Sequence, residues 1–165
     1  GNLDTRLRKL DAGDYDAIVL AVAGLQRLGR AGEGTPLPAD LLTPAPGQGC
    51  LALEARAGDE RARALAAAVT DAGALAELAA ERALVRALEA SCHTPVAAHA
   101  RLRGDELALA AFAGLPDGSA WIRDELRGPA AEAEALGRSV AERLLAAGAG
   151  ELLAAAERGA TAAGG

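Results

Sequence analysis

The apolar residues of this 165-residue chain are almost all alanine or leucine, and this restricts the cores that it can build. The sequence holds 45 Ala and 26 Leu, but six Val, two Ile and one each of Phe, Tyr and Trp. Because alanine buries little surface per residue, such a core needs closely packed helices and many leucine contacts. With 51% hydrophobic and 24% charged residues, we expect one globular domain or two small ones rather than a disordered polypeptide.

The charge balance and the cysteine count exclude several classes of function. The formal net charge is −6, whereas a nucleic-acid-binding domain usually carries a basic face. No apolar run approaches the ~18–20 residues that span a bilayer, and no secretory signal pattern is visible. Two cysteines cannot make a disulfide framework, which is typical of a reducing compartment. We therefore expect a cytoplasmic protein with neither nucleic acid nor a membrane as its partner.

The first part of the chain has the pattern of an α/β lobe. The spacing of Leu7 and Leu10 predicts a short helix over 4–12. Residues 16–23 are nearly all apolar, and their length and β-branched content predict a strand buried on both faces, as in a parallel sheet. Residues 29–49 are rich in Pro and Gly, which indicates a loop or hinge. We expect a short strand over 50–55 and a helix over 59–69 to follow.

Residues 71–158 have a different pattern, that of an α+β domain. Short turn sequences at 104–105 and 116–118 separate apolar runs and predict a three-stranded meander between helices. In order, the predicted elements are a helix over 74–90 capped by Thr70 or Asp71, strands over 96–103, 107–113 and 120–126, a helix from just after Pro129 to 147, and a last helix over 151–158.

Cys92 is the first candidate for chemistry. It follows the predicted helix in the sequence EASCHTPV at 89–96, so we expect it in an exposed loop. A protonated His93 would favour its thiolate, whereas the negative end of the helix dipole would oppose it. The alternative is a small residue that fills a gap, and spacing alone does not decide between the two.

The remaining cysteine and the histidines predict no metal site. Cys50 opens an apolar run, and we expect it to be a buried small side chain. His93 and His99 lie six residues apart without a third ligand, and no CxxC spacing occurs.

Two arginines are candidate ligands for carboxylates. Arg6 belongs to a small basic cluster near the start of the first helix, and Arg27 follows the predicted buried strand. A guanidinium at the carboxyl end of a parallel strand is well placed for anions, and arginine binds carboxylates through two hydrogen bonds. The alternative, solvated helix charges, fits the sequence equally well.

Four ordered blocks of the sequence resemble the porphobilinogen deaminase (hydroxymethylbilane synthase) family. Residues 1–10 resemble its RGN-x-x-TRL-x-KL block, and residues 16–29 resemble YDAIILA-x-AGL-x-RLG. Residues 46–49 with Glu54 resemble GQG-x-x-x-x-E, and residues 81–95 resemble ERA…LEGGC-x-x-P. The resemblance covers the whole chain, but only the C-terminal half of the family's enzymes.

The resemblance implies a site and a reaction. Cys92 takes the place of the cysteine that forms a thioether to the dipyrromethane cofactor, while Arg6 and Arg27 match arginines that bind the acetate and propionate groups of cofactor and growing chain. The substrate is porphobilinogen, four molecules of which are polymerised to hydroxymethylbilane with release of ammonia in tetrapyrrole (heme) biosynthesis. The resemblance also implies a cytoplasmic transferase that is monomeric when complete.

The resemblance further implies an α/β plus α+β fold in three parts. Residues 1–43 would end the second α/β lobe, which is periplasmic-binding-protein-like. Residues 44–70 would be a hinge and strand-helix segment that returns toward a missing first lobe. Residues 71–165 would form the cofactor-attachment domain, a three-stranded antiparallel sheet with helices.

The sequence also departs from the family. The family's GGC becomes Ala90-Ser91-Cys92, and the loss of two glycines predicts a stiffer loop. The family's catalytic aspartate belongs to the first lobe, and no Asp here matches its motif. Because the chain starts with Gly and has no Met, we expect a piece of a longer protein. Because the catalytic aspartate is missing, we expect this piece to be inactive alone. The alternatives are a non-enzymatic thiol-bearing or partner-binding remnant of the family, and a periplasmic-type ligand-binding protein.

Overall fold

The computed structural model describes residues 2–163, so Gly1 of the first sequence block and the last two residues of the predicted C-terminal domain lie outside the described residues. Helices α1–α6 comprise Leu3–Asp11, Val22–Arg27, Glu60–Ala68, Ala72–Ala87, Ala133–Ala146 and Ala149–Ala163, and strands β1–β3 comprise Val96–Arg103, Glu106–Gly114 and Trp121–Pro129. Short 3-10 helices span Ala31–Glu33 and Ala130–Glu132. The chain divides into two compact units, Gly1–Pro38 and Ala39–Gly165.

The first unit contains the predicted first helix but not the predicted strand. Helix α1 forms, and its Leu7 is buried, as is Leu25 of α2. Residues 16–21 have no regular structure, Val19 is 62% exposed, and α2 begins inside the run that was expected to be a strand. The prediction is wrong because a strand needs neighbours that bond to its backbone, and the described residues of this unit contain no other strand.

The strand predicted over 50–55 is also wrong, whereas the helix after it is confirmed. Residues 50–55 have no regular structure, and Leu51 is 81% exposed. Helix α3 begins after Asp59, whose carboxylate accepts a hydrogen bond from the Ala62 N–H at 2.9 Å. This N-cap satisfies a backbone donor within one turn, so the local sequence is sufficient to start the helix.

The three-stranded antiparallel sheet predicted for the second unit is confirmed. Its strand order is β1-β2-β3, and the register pairs Leu109 with Ala100 on one side and with Leu126 on the other. Alternate residues of β2 are fully buried on one face of the sheet, against α4, α5 and α6. The helices thus cover one face and leave the other face open.

The ends of these elements differ slightly from the predictions. The N-cap of α4 is Asp71, as predicted, but β3 continues to Pro129, and α6 begins at Ala149 instead of 151. The helix therefore includes Gly150, which lies before the predicted start. It is tolerated because it lies in the first turn, where backbone N–H groups have no partner within the helix in any case.

Helices α4 and α5 pack closely enough that their contact requires a glycine. An ideal Cβ on Gly137 would lie 2.3 Å from the carbonyl oxygen of Ala80 and 2.8 Å from the Cβ of Ala83. Ala80 and Ala83 are buried. The alanine-rich composition therefore produces the close helix packing that it predicts.

The free edge of β1 is covered by three acceptors. The N–H groups of Ala98, Ala100 and Leu102, which alternate along the strand, donate to the Pro44 carbonyl at 3.0 Å, to Glu81 at 2.9 Å and to Glu77 at 2.8 Å. Exposed strand edges invite pairing with other chains, and α4 prevents this by presenting two glutamates one helical turn apart. Within the part of the chain that the structure describes, no helix is long and apolar enough to cross a membrane.

Candidate functional site

The loop that carries Cys92 begins with a defined end to helix α4. The Ala90 N–H donates to the Val85 carbonyl at 3.0 Å, and the Glu89 N–H donates to the Arg86 carbonyl at 3.2 Å. This pair of bonds is a Schellman motif, which places the residue after the C-cap in the left-handed region. Here that residue is Glu89, with φ of 52°. The chain therefore leaves the helix in one fixed direction despite having no glycine at this turn.

Ser91 and Thr94 close the turn that contains Cys92. The Ser91 N–H donates to Thr94 Oγ1 at 2.9 Å, and the Thr94 N–H returns a bond to the Ser91 carbonyl at 3.1 Å. The Ser91 hydroxyl also accepts from the His93 N–H at 3.2 Å. These bonds hold residues 91–94 as a compact turn between α4 and β1.

The side chain of Cys92 is exposed and is not part of a disulfide. Its thiol makes no hydrogen bond within the described residues. The prediction of an exposed loop cysteine is therefore confirmed, and the alternative of a gap-filling side chain is wrong for this structure. A thiol at the tip of a braced turn is accessible to an electrophile from solvent.

The expectation that Cys50 is buried is wrong. Cys50 is exposed, and its Sγ lies 3.7 Å from the carbonyl oxygen of Leu51. The reason is the missing strand at 50–55, because without strand neighbours the apolar run has no core in which to bury the cysteine. Both thiols are therefore accessible, and exposure alone does not distinguish them.

Glu81 connects two of the sequence blocks, a role that sequence reasoning missed. Its carboxylate is buried and accepts hydrogen bonds from the Gly47 N–H at 2.6 Å and from the Ala100 N–H at 2.9 Å. Gly47 has φ of 70°, which suits a glycine. The available signal was a pair of glutamates four residues apart on a helix that precedes an edge strand. Glu81 thereby fixes the loop at 46–49 to the sheet.

Arg6 and Arg27 are exposed on the first unit, in α1 and at the last residue of α2. Neither side chain makes a hydrogen bond or an ion pair among the described residues. Arg30 differs, because its ion pair with Glu33 at 2.5 Å raises the pKa of Arg30 and lowers that of Glu33. The guanidinium groups of Arg6 and Arg27 are thus available to an external carboxylate. Cys92 belongs to the other unit.

The histidines do not form a metal site with neighbouring groups. Within the described residues, no cluster of three or more His, Cys, Asp or Glu side chains has a geometry that could hold a metal ion. The nearest acidic contact of His99 is Glu81, with 4.0 Å between Nδ1 and Oε1.

Comparison with known proteins identifies the class to which this fold and site belong. Residues 1–64 match the family model described as "Porphobilinogen deaminase, dipyromethane cofactor binding domain", and residues 75–146 match "Porphobilinogen deaminase, C-terminal domain". The chain belongs to the porphobilinogen deaminase family.

Two relatives show how much of the family's length is present. The porphobilinogen deaminases of Bordetella parapertussis and Bordetella bronchiseptica are each 54% identical to this chain over 156 residues, which is 93% of this chain and 49% of each relative. The chain spans about half the length of the curated relatives it matches.

The family's dipyrromethane cofactor fits the residues present. A covalent attachment needs an accessible thiol, and Cys92 supplies one in the region matched by the C-terminal model. The model named for cofactor binding matches the region that contains Arg6, Arg27 and the second exposed thiol, Cys50. The two free guanidinium groups suit a cofactor that carries carboxylates.

Proposed function

We propose that this chain is the cofactor-anchoring half of a hydroxymethylbilane synthase, the transferase that polymerises four porphobilinogen molecules to hydroxymethylbilane with release of ammonia. The observation that carries the proposal is the combination of two matched family models with an exposed thiol on the braced turn at 91–94. The complete enzyme is a cytoplasmic monomer in this proposal.

Cys92 is the proposed attachment residue. Its Sγ would form the thioether, and the hydrogen bonds between Ser91 and Thr94 keep the turn in place when the thiol is loaded. When bound, dipyrromethane supplies the free pyrrole α-position to which the first substrate is joined. The protein's contribution is to hold this group at one end, so that each addition occurs within a bound complex rather than between free molecules.

Arg6 and Arg27 are the proposed carboxylate ligands of cofactor and substrate. Each pyrrole unit of the family's substrate brings an acetate and a propionate, and a guanidinium binds a carboxylate through two parallel hydrogen bonds. Because neither arginine is paired within the described residues, carboxylate binding breaks no existing ion pair.

The chain does not supply the acid of the reaction. No Asp matches the family's catalytic aspartate motif, which the resemblance assigns to the first lobe. Such general acid–base assistance typically contributes ~10²–10⁴-fold to rate.

We propose that residues 1–43 end a periplasmic-binding-protein-like lobe, that 44–70 return toward the first lobe, and that 71–165 carry the cofactor. The exposed apolar segments at 16–21 and 50–55 support this division, because strands buried on both faces need neighbouring strands.

The decisive experiment is intact-mass spectrometry beside a product assay with porphobilinogen. The chain is tested with and without a separately expressed first lobe from a Bordetella relative, as wild type, Cys92→Ser and the matched control Cys50→Ser. We expect a dipyrromethane adduct and product only when Cys92 and the first lobe are both present. An adduct that persists in Cys92→Ser, or that is lost in Cys50→Ser, would contradict the assignment.

The same assay tests the second candidate, a non-enzymatic thiol-bearing or partner-binding remnant. The exposed thiol of Cys92 is compatible with this candidate as well. It predicts a stable complex with the first lobe but no adduct and no hydroxymethylbilane, whereas the transferase proposal predicts both. Turnover by the 165-residue chain alone would contradict both candidates.

The arginine roles are tested in a complete enzyme that contains this half. Arg6→Leu and Arg27→Leu should each slow elongation by about one to two orders of magnitude, because hydrogen bonds to charged groups contribute ~1.5–3 kcal/mol. The melting temperature should not change, since neither side chain makes a polar contact here. Arg61→Leu, at an exposed arginine on α3, is the control. Unchanged kinetics in both variants would make the two residues ordinary surface charges.

A further inference from the structure

The face of the sheet that the helices leave open contains a shallow groove, which we call the open-face groove. Its volume is about 300 Å³, which is at the lower limit for small-molecule sites. Ala108 and Ala110 of the central strand form its floor. Most of the polar side chains that line it belong to the two outer strands: His99, Arg101 and Arg103 on β1, and Arg123, Glu125 and Arg127 on β3. The others are Glu106, at the start of β2, and Asp40.

The strand register places two guanidinium groups on opposite sides of one alanine. Ala108 pairs with Arg101 of β1 and with Arg127 of β3, so the three residues form a row across the sheet. Since neighbouring strands lie ~4.8 Å apart, the backbones that carry the two arginines are about 10 Å apart. A small ligand that lies across Ala108 therefore meets a guanidinium at each end.

The arginines on β1 are free to bind an anion. Arg101 and Arg103 make no hydrogen bond or ion pair among the described residues. On the opposite side, Arg127 lies 3.7 Å from Glu106 and 3.5 Å from Glu125, and all three side chains are well exposed. Such exposed contacts contribute little, so a ligand carboxylate can replace them. Each end of the row therefore has one positive group able to bind a carboxylate.

The segment at the start of the second unit also lines the groove. Arg123 donates a hydrogen bond to the carbonyl oxygen of Asp40 at 2.5 Å, and Ala39 and Asp40 line the groove beside it. This contact occupies Arg123, which is therefore not one of the two proposed carboxylate ligands. The side-chain acids Glu106 and Glu125 oppose a continuous phosphate backbone, which the chain's net charge of −6 also disfavours.

We propose that the open-face groove binds a small dicarboxylate, with one carboxylate on Arg101, the other on Arg127 and a short apolar body over Ala108 and Ala110. Arginine suits this ligand because its planar guanidinium group can bind a carboxylate through two hydrogen bonds. The side chains of Ala108 and Ala110 are small and leave room for the methylene groups between the two carboxylates. The inference depends on none of the residues assigned to the transferase function.

The test is an NMR titration of the 165-residue chain with glutarate, with butyrate as the monocarboxylate of similar size. We expect saturable shifts of the Ala108 and Ala110 amides, with glutarate bound about tenfold more tightly than butyrate. Arg101→Gln and Arg127→Gln should each weaken glutarate binding about tenfold. The control, Arg61→Gln on α3, should bind like wild type, and unchanged amide spectra of α4 and α5, which pack on the opposite face of the sheet, would show that every variant is folded.

Three results would overturn the proposal. The first is the absence of saturable shifts at these two alanines at millimolar glutarate. The second is equal affinity for butyrate and glutarate, which would show that the two arginines do not act together. The third is an equal loss of binding in Arg61→Gln, which would indicate a general charge effect rather than a site.

Discussion

Two apolar segments of this chain, residues 16–21 and strand β2, have opposite structures. β2 is the middle strand of the sheet, it bonds to a neighbour on each side, and its Leu109 is fully buried. Residues 16–21 are just as apolar, but none of their amides donates a hydrogen bond within the described residues, and Val19 is 62% exposed. An apolar run therefore shows that a segment needs burial, whereas the presence of strand partners decides whether it becomes a strand.

The segment at 50–55, in the second unit, is another apolar run that forms no strand. Leu51 and Leu53 are 81% and 66% exposed, although the meander that begins at Val96 is complete. The sheet of the second unit obtains all its partners from consecutive hairpins. Among the residues that the structure describes, the segments at 16–21 and 50–55 have no such adjacent partner.

The comparison predicts a large difference in amide hydrogen exchange along the chain. Amides in the middle of β2 should be protected about 10³-fold or more, because they exchange only when the domain unfolds. Amides of residues 16–21 should show almost no protection, and residues 50–55 should behave in the same way. Exchange followed by mass spectrometry with proteolytic fragments measures all three regions together. Comparable protection at 16–21 and in β2 would show that the first segment has found a strand partner after all.

The next largest effect is expected where α4 and α5 touch. Gly137→Ala would place a methyl group 2.3 Å from the Ala80 carbonyl oxygen, and such overpacking should cost ~3 kcal/mol of unfolding free energy. Gly159 of α6 is the matched control, because a Cβ there meets no atom of the described residues within 4 Å. Gly159→Ala should instead stabilise the helix by up to ~1 kcal/mol. Urea denaturation measures both.

This pair of variants also tests whether the first unit takes part in the cooperative unfolding of the second unit. The exchange of residues 16–21 should remain unchanged in Gly137→Ala, since these residues belong to the other compact unit. If Gly137→Ala unfolds at the wild-type urea concentration, the helices are not packed as closely as the structure shows.

The sequence was sufficient where structure depends on neighbours along the chain. The turns at 104–105 and 116–118 are short and chemically specific, so β1 and β2 could be placed to within one residue, whereas β3 continues three residues beyond its predicted end. The exposure of Cys92 followed from a helix end and Pro95, both of which are local. The bond from Gly47 to Glu81 joins residues 34 apart, and no local pattern indicates such a pair. The exposure of Cys50 was missed for the same reason, because it depends on partners outside its own segment.

The smallest change in stability is expected at ion pairs between arginine and a carboxylate. In two of them, a hydrogen bond from the arginine lowers the pKa of the carboxyl group. In the second unit, Arg143 of α5 donates to Asp124 of β3 at 2.5 and 3.0 Å. These bonds, with a further bond from the Glu125 N–H, lower the pKa of Asp124. In the first unit, Arg30 and Glu33 are three residues apart and exposed. The first pair joins a helix to a sheet, whereas the second lies within a single turn.

The pH dependence of Asp124→Asn distinguishes these two kinds of pair. Because folding lowers the pKa of Asp124, its contribution is fully present above the unfolded-state value of ~3.9 and is lost as the pH falls through the folded-state pKa. Hydrogen bonds to charged groups are worth ~1.5–3 kcal/mol, and the exposure of Arg143 reduces this. We therefore expect Asp124→Asn to lower the unfolding free energy by about 1 kcal/mol at pH 7 and by progressively less as the pH falls below 4. Glu33→Gln is the control and should leave the unfolding of the sheet unchanged at both pH values. An Asp124→Asn effect of equal size at pH 7 and pH 3 would show that the packing of the Asp124 side chain, and not its charge, stabilises the contact between α5 and β3.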